Sequence, residues 1–296
     1  MGNLNLFLPE KEIENAAIFI SGSGTNAENI LNLKEENKNS NWKPCVIVTD
    51  APLKSRAKEI ADKYKIPFIV HDIRQFYKNN GETRVSILTD KGREIRKKWT
   101  DELRIMLSPY NIDFGILAGF IPLCNIMADF PCLNVHPGDL TITNNNRRLL
   151  VGLHTVPIEA AILNNYSYLR SSVIVAQPYT GKGGNMDSGP ILGISGKVNI
   201  DLNNIPLDEL KIIAAKRPLK RPIGGYKDLL EKIAENNQNT LKENGDWVVF
   251  PKVIDDFAAN KFAYDDDEKL YFKPKNAFIC INTVIYERKS FKYICN

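Results

Sequence analysis

The sequence predicts an α/β fold: a mostly parallel sheet with helices on both faces, followed by a small β-rich C-terminal extension. Three observations carry this. Short, nearly continuous apolar runs recur at residues 16–20, 45–49, 67–70, 114–118 and 172–176, the pattern of strands buried on both faces. Segments with helical spacing separate them, as parallel strands require. After residue 246 the helical spacing gives way to short apolar stretches bounded by turn residues.

Taken in order, residues 1–14 read as an N-terminal arm. The first strand, 16–20, breaks at Ser21-Gly22-Ser23-Gly24-Thr25-Asn26, and a helical pattern follows through Ile30, Leu31 and Leu33. The next units are strand 45–49, helix 53–64 and strand 67–70. A charged helical stretch spans 72–110, with a break near Asn79-Asn80-Gly81. Its cations (Arg74, Arg84, Arg93, Arg96, Lys97, Lys98, Arg104) read as a solvated face, from which one could reach an anionic substrate. Strand 114–118 ends in Gly119-Phe120. A short link leads to Leu133-Asn134-Val135-His136-Pro137. Residues 143–148 read as an exposed polar loop without structure of its own, and such loops are functional or disordered. A helix from 152 to 164, strand 172–176, a glycine-rich loop at 180–190, strand 191–200 and helical segments near 207–217 and 225–236 complete a main domain over 15–245. In the extension, 246–296, residues 248–250, 270–272, 278–281 and 293–294 read as strands, and acidic 265–268 as a turn.

Composition narrows the function. The chain has 296 residues, 43% hydrophobic and 25% charged, with net charge +4, ordinary values for a globular protein. Mild basicity suits small anionic substrates and does not point to nucleic acid. No apolar run has the length of a membrane span, and residues 1–14 lack a secretory pattern. The five cysteines form no CxxC and no metal spacing. The expectation is a cytoplasmic protein with reduced thiols and no metal.

Two stretches carry chemistry. Asn134 and His136 are two apart on a strand, so their side chains leave the same face. One offers an amide and the other a ring that relays protons near neutral pH. Pro137 ends the ladder there, at the strand terminus where open α/β sheets place ligands. Alone, the stretch reads equally as a strand end with two satisfied polar groups. The second stretch is strand, glycine turn, helix, which presents backbone N–H groups and a helix N-terminus to a phosphate. It lacks the third glycine of the dinucleotide fingerprint and the Gly-Lys-Ser/Thr of a Walker loop. Gly22, Ser23, Gly24, Thr25 and Asn26 are the candidate phosphate ligands. A side chain at Gly24 is expected to fill the space a phosphate oxygen needs.

With these pieces in order, the chain resembles the folate-dependent formyltransferase family. The motifs are Ile20-Ser21-Gly22-Ser23-Gly24-Thr25-Asn26, Leu117-Ala118-Gly119-Phe120, Asn134-Val135-His136-Pro137, Gly152-Leu153-His154 and Met186-Asp187-Ser188-Gly189-Pro190-Ile191, in the family's sequence. The resemblance covers residues 15–235 and implies a Rossmann-like fold. It implies formyl transfer from 10-formyltetrahydrofolate, as co-substrate, to the amine of phosphoribosylglycinamide in purine biosynthesis. Asn134, His136 and Asp187 would be catalytic, with Asp187 orienting His136. Phe120, Ile121, Pro122, Leu123, Gly183, Gly184 and Asp187 would hold the folate. His154 would be structural. Three departures stand out. Gly138-Asp139-Leu140-Thr141 and an insertion replace the family's tight run after the histidine, Pro122 stands where the purine type carries a basic residue, and the chain runs on past 245. The last leaves room for a homodimer contact. Alternatives within the family act on a sugar nucleotide or methionyl-tRNA, and outside catalysis stands a ligand-binding homologue.

Overall fold

The computed structural model describes residues 3–179, 186–222 and 224–295. In chain order its elements are β1 (Asn5–Leu6), β2 (Glu14–Phe19), α1 (Thr25–Glu36), β3 (Trp42–Thr49), α2 (Ala57–Tyr64), β4 (Phe68–Val70), α3 (Ile73–Asn79), α4 (Asp90–Leu107), β5 (Phe114–Leu117) and β6 (Cys132–His136). Then follow β7 (Thr143–Asn144), β8 (Arg147–Arg148), α5 (Val156–Leu163), β9 (Tyr168–Leu169), β10 (Ser172–Ala176), β11 (Ile191–Ser195), β12 (Val198–Asn199), α6 (Leu207–Ala215) and α7 (Leu229–Leu241). The C-terminal part holds α8 (Trp247–Ala258), β13 (Phe262–Tyr264), β14 (Leu270–Phe272), β15 (Ile279–Cys280), β16 (Thr283–Tyr286) and β17 (Phe291–Ile294).

The apolar runs become strands because both sheet faces are covered. Among the described residues the main sheet has the order β17-β16-β11-β10-β6-β5-β2-β3-β4. Strands β2 to β6 pair in parallel. Strand β10 runs antiparallel to β6, and β11 reverses again. On one face Ile18, Ile20, Ile47 and Ile116 pack against α1, α2 and α8; on the other, Phe19, Val46, Val48 and Leu117 pack against α3 and α4. A third cluster joins α5, α6 and α7 through Ile158, Ile162, Leu210, Leu230 and Ile233. This is the Rossmann-like, mostly parallel arrangement expected.

The β-rich C-terminal region is present, with one correction. Residues 248–250 are helical: they open α8, whose Val249, Phe250, Val253, Ile254, Phe257 and Ala258 are buried in the core. Those positions repeat with helical spacing. Pro251 hid the pattern by reading as a breaker, although it sits just past the first turn, after a π-turn at Lys242–Asp246. The strands that follow divide between sheets. Strand β16 pairs with β11 and β17 with β16 on the main sheet, while β13, β14 and β15 form a small antiparallel sheet with β1. The arm before β2 is thereby tied down, and Leu8 is buried in the core. No helix among the described residues is long and apolar enough to cross a membrane.

At the sheet end opposite β6's terminus, Glu14 is fully buried with neither carboxyl oxygen hydrogen-bonded in normal geometry. Burial first, then the neighbouring Asp113 carboxyl, pushes its pKa up from 4.5 to about 7. A carboxyl raised in the folded state stabilises the fold below its unfolded pKa, and that contribution is lost as pH rises through the folded value. Glu14→Gln, whose amide can donate to Asp113 at every pH, should therefore flatten the fall in Tm between about pH 5 and 8. Thermal melts across that range check this; equal slopes for both proteins would show that Glu14 ionises normally.

Candidate active site

The site is built at the end of β6. The strand is held in register by Leu117 of β5 opposite Asn134, and by Ile174 and Ser172 of β10 opposite Asn134 and His136. His136 is buried, and both ring nitrogens are engaged. Nε2 lies 2.6 Å from the Leu150 carbonyl oxygen. A carbonyl only accepts, so the hydrogen sits on Nε2. Nδ1 lies 3.6 Å from Asp187 Oδ2, a distance that makes an ion pair when the ring carries a proton on both nitrogens. Asn134 is partly exposed, and its side-chain amide makes no hydrogen bond within the described residues, leaving it open to a ligand. Asn134 and His136 therefore share the end of β6, and Asp187 meets His136 there from another loop.

Asp187 is carried by a 3-10 turn, Met186–Ser188. Gly189 lets this loop close on β10: a Cβ there would meet the Val175 carbonyl oxygen at 1.8 Å. The Val175 N–H donates to the Pro190 carbonyl at 3.2 Å and anchors the return.

The segment after His136 departs from expectation. Residues 143–148 form a hairpin, β7 paired to β8. Asn145 and Asn146 at its tip take φ of 48° and 59°, the left-handed pair of a type I′ turn, which asparagine tolerates. The outgoing strand brings the Leu150 carbonyl onto His136. Gly138 makes room, since a Cβ there would stand 2.6 Å from that carbonyl oxygen. Ser172 fixes the start of the segment by donating to the Gly138 carbonyl at 2.7 Å and accepting from the Leu140 N–H at 3.0 Å.

The phosphate loop leads from β2 into α1. Gly24 is left-handed, φ 66°, and caps the helix. Two expectations change here. A Cβ at Gly24 would point into Ile60 Cδ1 at 2.4 Å, whereas at Gly22 it would meet nothing within 4 Å, so Gly22 faces the open space. The Asn26 side chain is committed at both ends: its amide donates to Asp246 Oδ2 at 3.0 Å, and its oxygen accepts from Trp247 Nε1 at 3.0 Å. Ser23 is exposed, and its hydroxyl lies 3.5 Å from that of Thr25. Free N–H groups of the first helical turn and these two hydroxyls are what an anion would find.

Of the expected folate residues, Phe120 is a core side chain, its ring 5.2 Å from Phe19 and stacked 6.5 Å from Trp99. Ile121, Pro122 and Leu123 line a cavity of about 510 Å³ with Ser21, Asp50, Arg74, Ile87 and Arg96. Ser21 donates to Asp50 and accepts from the Ile121 N–H at 3.0 Å, so the loop is pinned to the first strand. Burial raises the Asp50 carboxyl above its ordinary range. Gly183 and Gly184 lie outside the described residues. His154 is exposed with φ 58°. His71 is buried and stacked on Trp99, its pKa lowered by burial.

Two site residues escaped the sequence reading, and a third was named only as one of seven cations. Leu150 acts through its backbone, which no side-chain pattern announces. Asp246, buried with its carboxyl raised by burial, bridges Ser171 at 2.6 Å and Asn26. Arg96 is the cation of the 72–110 stretch that turns inward. It is buried, donates to the Leu123 carbonyl, and leaves Nε unpartnered among the described residues. Helical phase could have singled it out, for it falls in line with buried Trp99 and Leu103.

No family model matches the chain, and no curated protein matches it. Solved structures do. Phosphoribosylglycinamide formyltransferase from Anaplasma phagocytophilum superposes with a TM-score of 0.58 at 17% identity, over 93% of this chain and 99% of that one. Glycinamide ribonucleotide transformylase 1 from Symbiobacterium toebii gives 0.55 at 17%, over 89% and 95%. A formyltetrahydrofolate deformylase from Pseudomonas syringae pv. tomato gives 0.55 at 11%, over 87% of this chain and 65% of that one. The fold expected from the ordered motifs is thus the fold observed, that of the folate-dependent formyltransferases.

Proposed function

We propose that the chain transfers a formyl group from 10-formyltetrahydrofolate to the amine of phosphoribosylglycinamide. The observation that carries the reading is the uncommitted Asn134 amide beside the His136–Asp187 pair, at the same edge of the parallel sheet as the glycine-bounded N-terminus of α1. Formyl transfer needs those groups. The amine nitrogen attacks the formyl carbon, an oxyanion forms, the bond to the folate nitrogen breaks, and the proton lost by the amine passes to that nitrogen. Asn134 would donate to the oxyanion, and His136, oriented by Asp187, would supply positive charge or relay the proton. The phosphate would sit at the first turn of α1. The folate would lie along Ile121–Leu123, over the cavity that Arg96 lines, where an inward cation suits the carboxylates of its tail.

One observation favours a second reading, a folate-binding homologue without turnover. The His136 Nε2–H is spent on Leu150 and must exchange that bond before it can serve a substrate. Purified protein supplied with 10-formyltetrahydrofolate and phosphoribosylglycinamide, a sugar-nucleotide amine, or water alone separates the readings. Transfer to the ribotide is expected. Loss of formyl without an amine would make water the acceptor, transfer only to the sugar amine would reassign the acceptor, and binding without formyl loss would support the second reading.

Two mutational outcomes follow from the same geometry. His136→Ala should cut kcat by on the order of 10²–10⁴-fold with an unchanged circular dichroism spectrum; near-normal turnover would remove the mechanism. At the phosphate loop, Gly22→Val should raise the KM for a phosphorylated acceptor with Tm unchanged. Gly24→Val should instead lower Tm, because it forces a β-branched residue to positive φ against Ile60. Steady-state kinetics and thermal melts of the pair check this, and a KM unmoved by Gly22→Val would place the phosphate elsewhere.

A further inference from the structure

We propose that Arg148 is a positioning residue for the His136–Asp187 pair. The proposal rests on the formyl-transfer reading for its kinetic consequence alone. Arg148 closes the β7–β8 hairpin and reaches across to the loop that carries Asp187. Its Nη1 donates to the Asp187 carbonyl and its Nη2 to the Gly189 carbonyl at 2.7 Å. It acts on the main chain at Asp187 itself and two residues beyond, through a rigid planar fork that an ammonium cannot reproduce. Hydrogen bonds from a charged donor are among the stronger ones in a fold.

The same segment holds the other partner. Two residues past Arg148, the Leu150 carbonyl receives the Nε2–H of His136. One short extended stretch therefore grips the ring by its far nitrogen and the aspartate's loop by two carbonyls. The 3.6 Å between Nδ1 and Oδ2 is spanned from both sides by residues 148–150. Leu150 is itself fixed, its side chain buried with Ile158 and Ile162. Its neighbour Arg147 points away and is exposed. Beside Arg148 lies a cavity of about 570 Å³, also lined by Gln177, Gly189 and Tyr264, with room for a small solute if the side chain is cut back.

The test compares wild type with Arg148→Ala, Arg148→Lys, Asp187→Asn and, as a control, Arg147→Ala. Two readouts are taken: the ring-nitrogen NMR signals of His136, which need no turnover, and kcat and KM for formyl transfer. Arg148→Ala is expected to displace the His136 ring signals in the same sense as Asp187→Asn. It should lower kcat by on the order of 10–100-fold, the scale of an ångström's misplacement, with KM for the folate nearly unchanged. Guanidinium ion at millimolar concentration should recover part of kcat in Arg148→Ala and none in Asp187→Asn. Arg148→Lys should fall between, and Arg147→Ala should match wild type. Wild-type ring signals in Arg148→Ala, or ring signals unmoved by Asp187→Asn, would overturn the proposal. Should Arg148→Ala fail to fold, the comparison passes to Arg148→Lys, where ring signals and kcat both equal to wild type would overturn it. A wild type without turnover would refute the formyl-transfer reading and leave the NMR comparison to decide on Arg148.

Discussion

The antiparallel pairing of β10 with β6 is the constraint on which the site depends. In a sheet of parallel strands the chain leaves each strand at the same edge, and β10 reverses that direction. Its register sets Ser172 against His136, and the Ser172 hydroxyl then gathers the chain on the far side of Pro137. At the other end of β10 the chain turns back through the loop that carries Asp187, and the close approach of Gly189 to Val175 fixes where that loop returns. A slip of one residue would send Ser172 and His136 to opposite faces and undo both arrangements. The Asn134–His136 display is thus a property of two strands.

Polar groups around this strand end are nearly all spoken for, and the exceptions are few. His136 has a partner on each nitrogen, Asp50 is held by Ser21, Asp246 by Ser171 and Asn26. Asn134, the Nε of Arg96 and the Nε of Arg170 stand out against that background among the described residues. Buried or half-buried polar groups without partners are costly, which is what makes Asn134 and Arg96 candidates for contact with a ligand. The Leu150 bond on His136 has the opposite meaning, since it satisfies the ring within the protein and sets an energetic threshold for any substrate that competes for the same hydrogen.

Much of this was legible in the sequence because parallel strands announce themselves. The runs at 16–20, 114–118 and 173–176 are unbroken by polar residues, and Asn134-Val135-His136-Pro137 carries its own strand stop. The pairing of Asp187 with His136 came from the resemblance, since no local pattern links positions fifty-one apart. What failed did so for identifiable reasons. Buried α8 keeps its helical period, but Pro251 imitates a terminator and hides it. Asn145-Asn146 was read as loop composition when it was turn chemistry. Phe120 was assigned to a ligand because it sits in a ligand-binding motif, yet an aromatic between Phe19 and Trp99 belongs to the core. Asp246 lay at the presumed junction of two segments, where a carboxylate looks like surface.

The tie between Asn26 and the start of α8 reaches beyond the folded site to the order in which the protein can be made. The contacts to Asp246 and Trp247 join positions 220 and 221 residues apart. A nascent chain that has released β2, its glycine turn and α1 already owns every residue of the candidate phosphate loop, yet the side chain that braces the loop stays unpartnered until Asp246 and Trp247 emerge. Closing so distant a contact is slow compared with forming a local turn, so the anion-binding loop should be among the last parts to become rigid. A ribosome-bound chain halted before Trp247 would carry the loop's sequence without its full brace, and the loop would gain it only once the start of α8 is free to fold back.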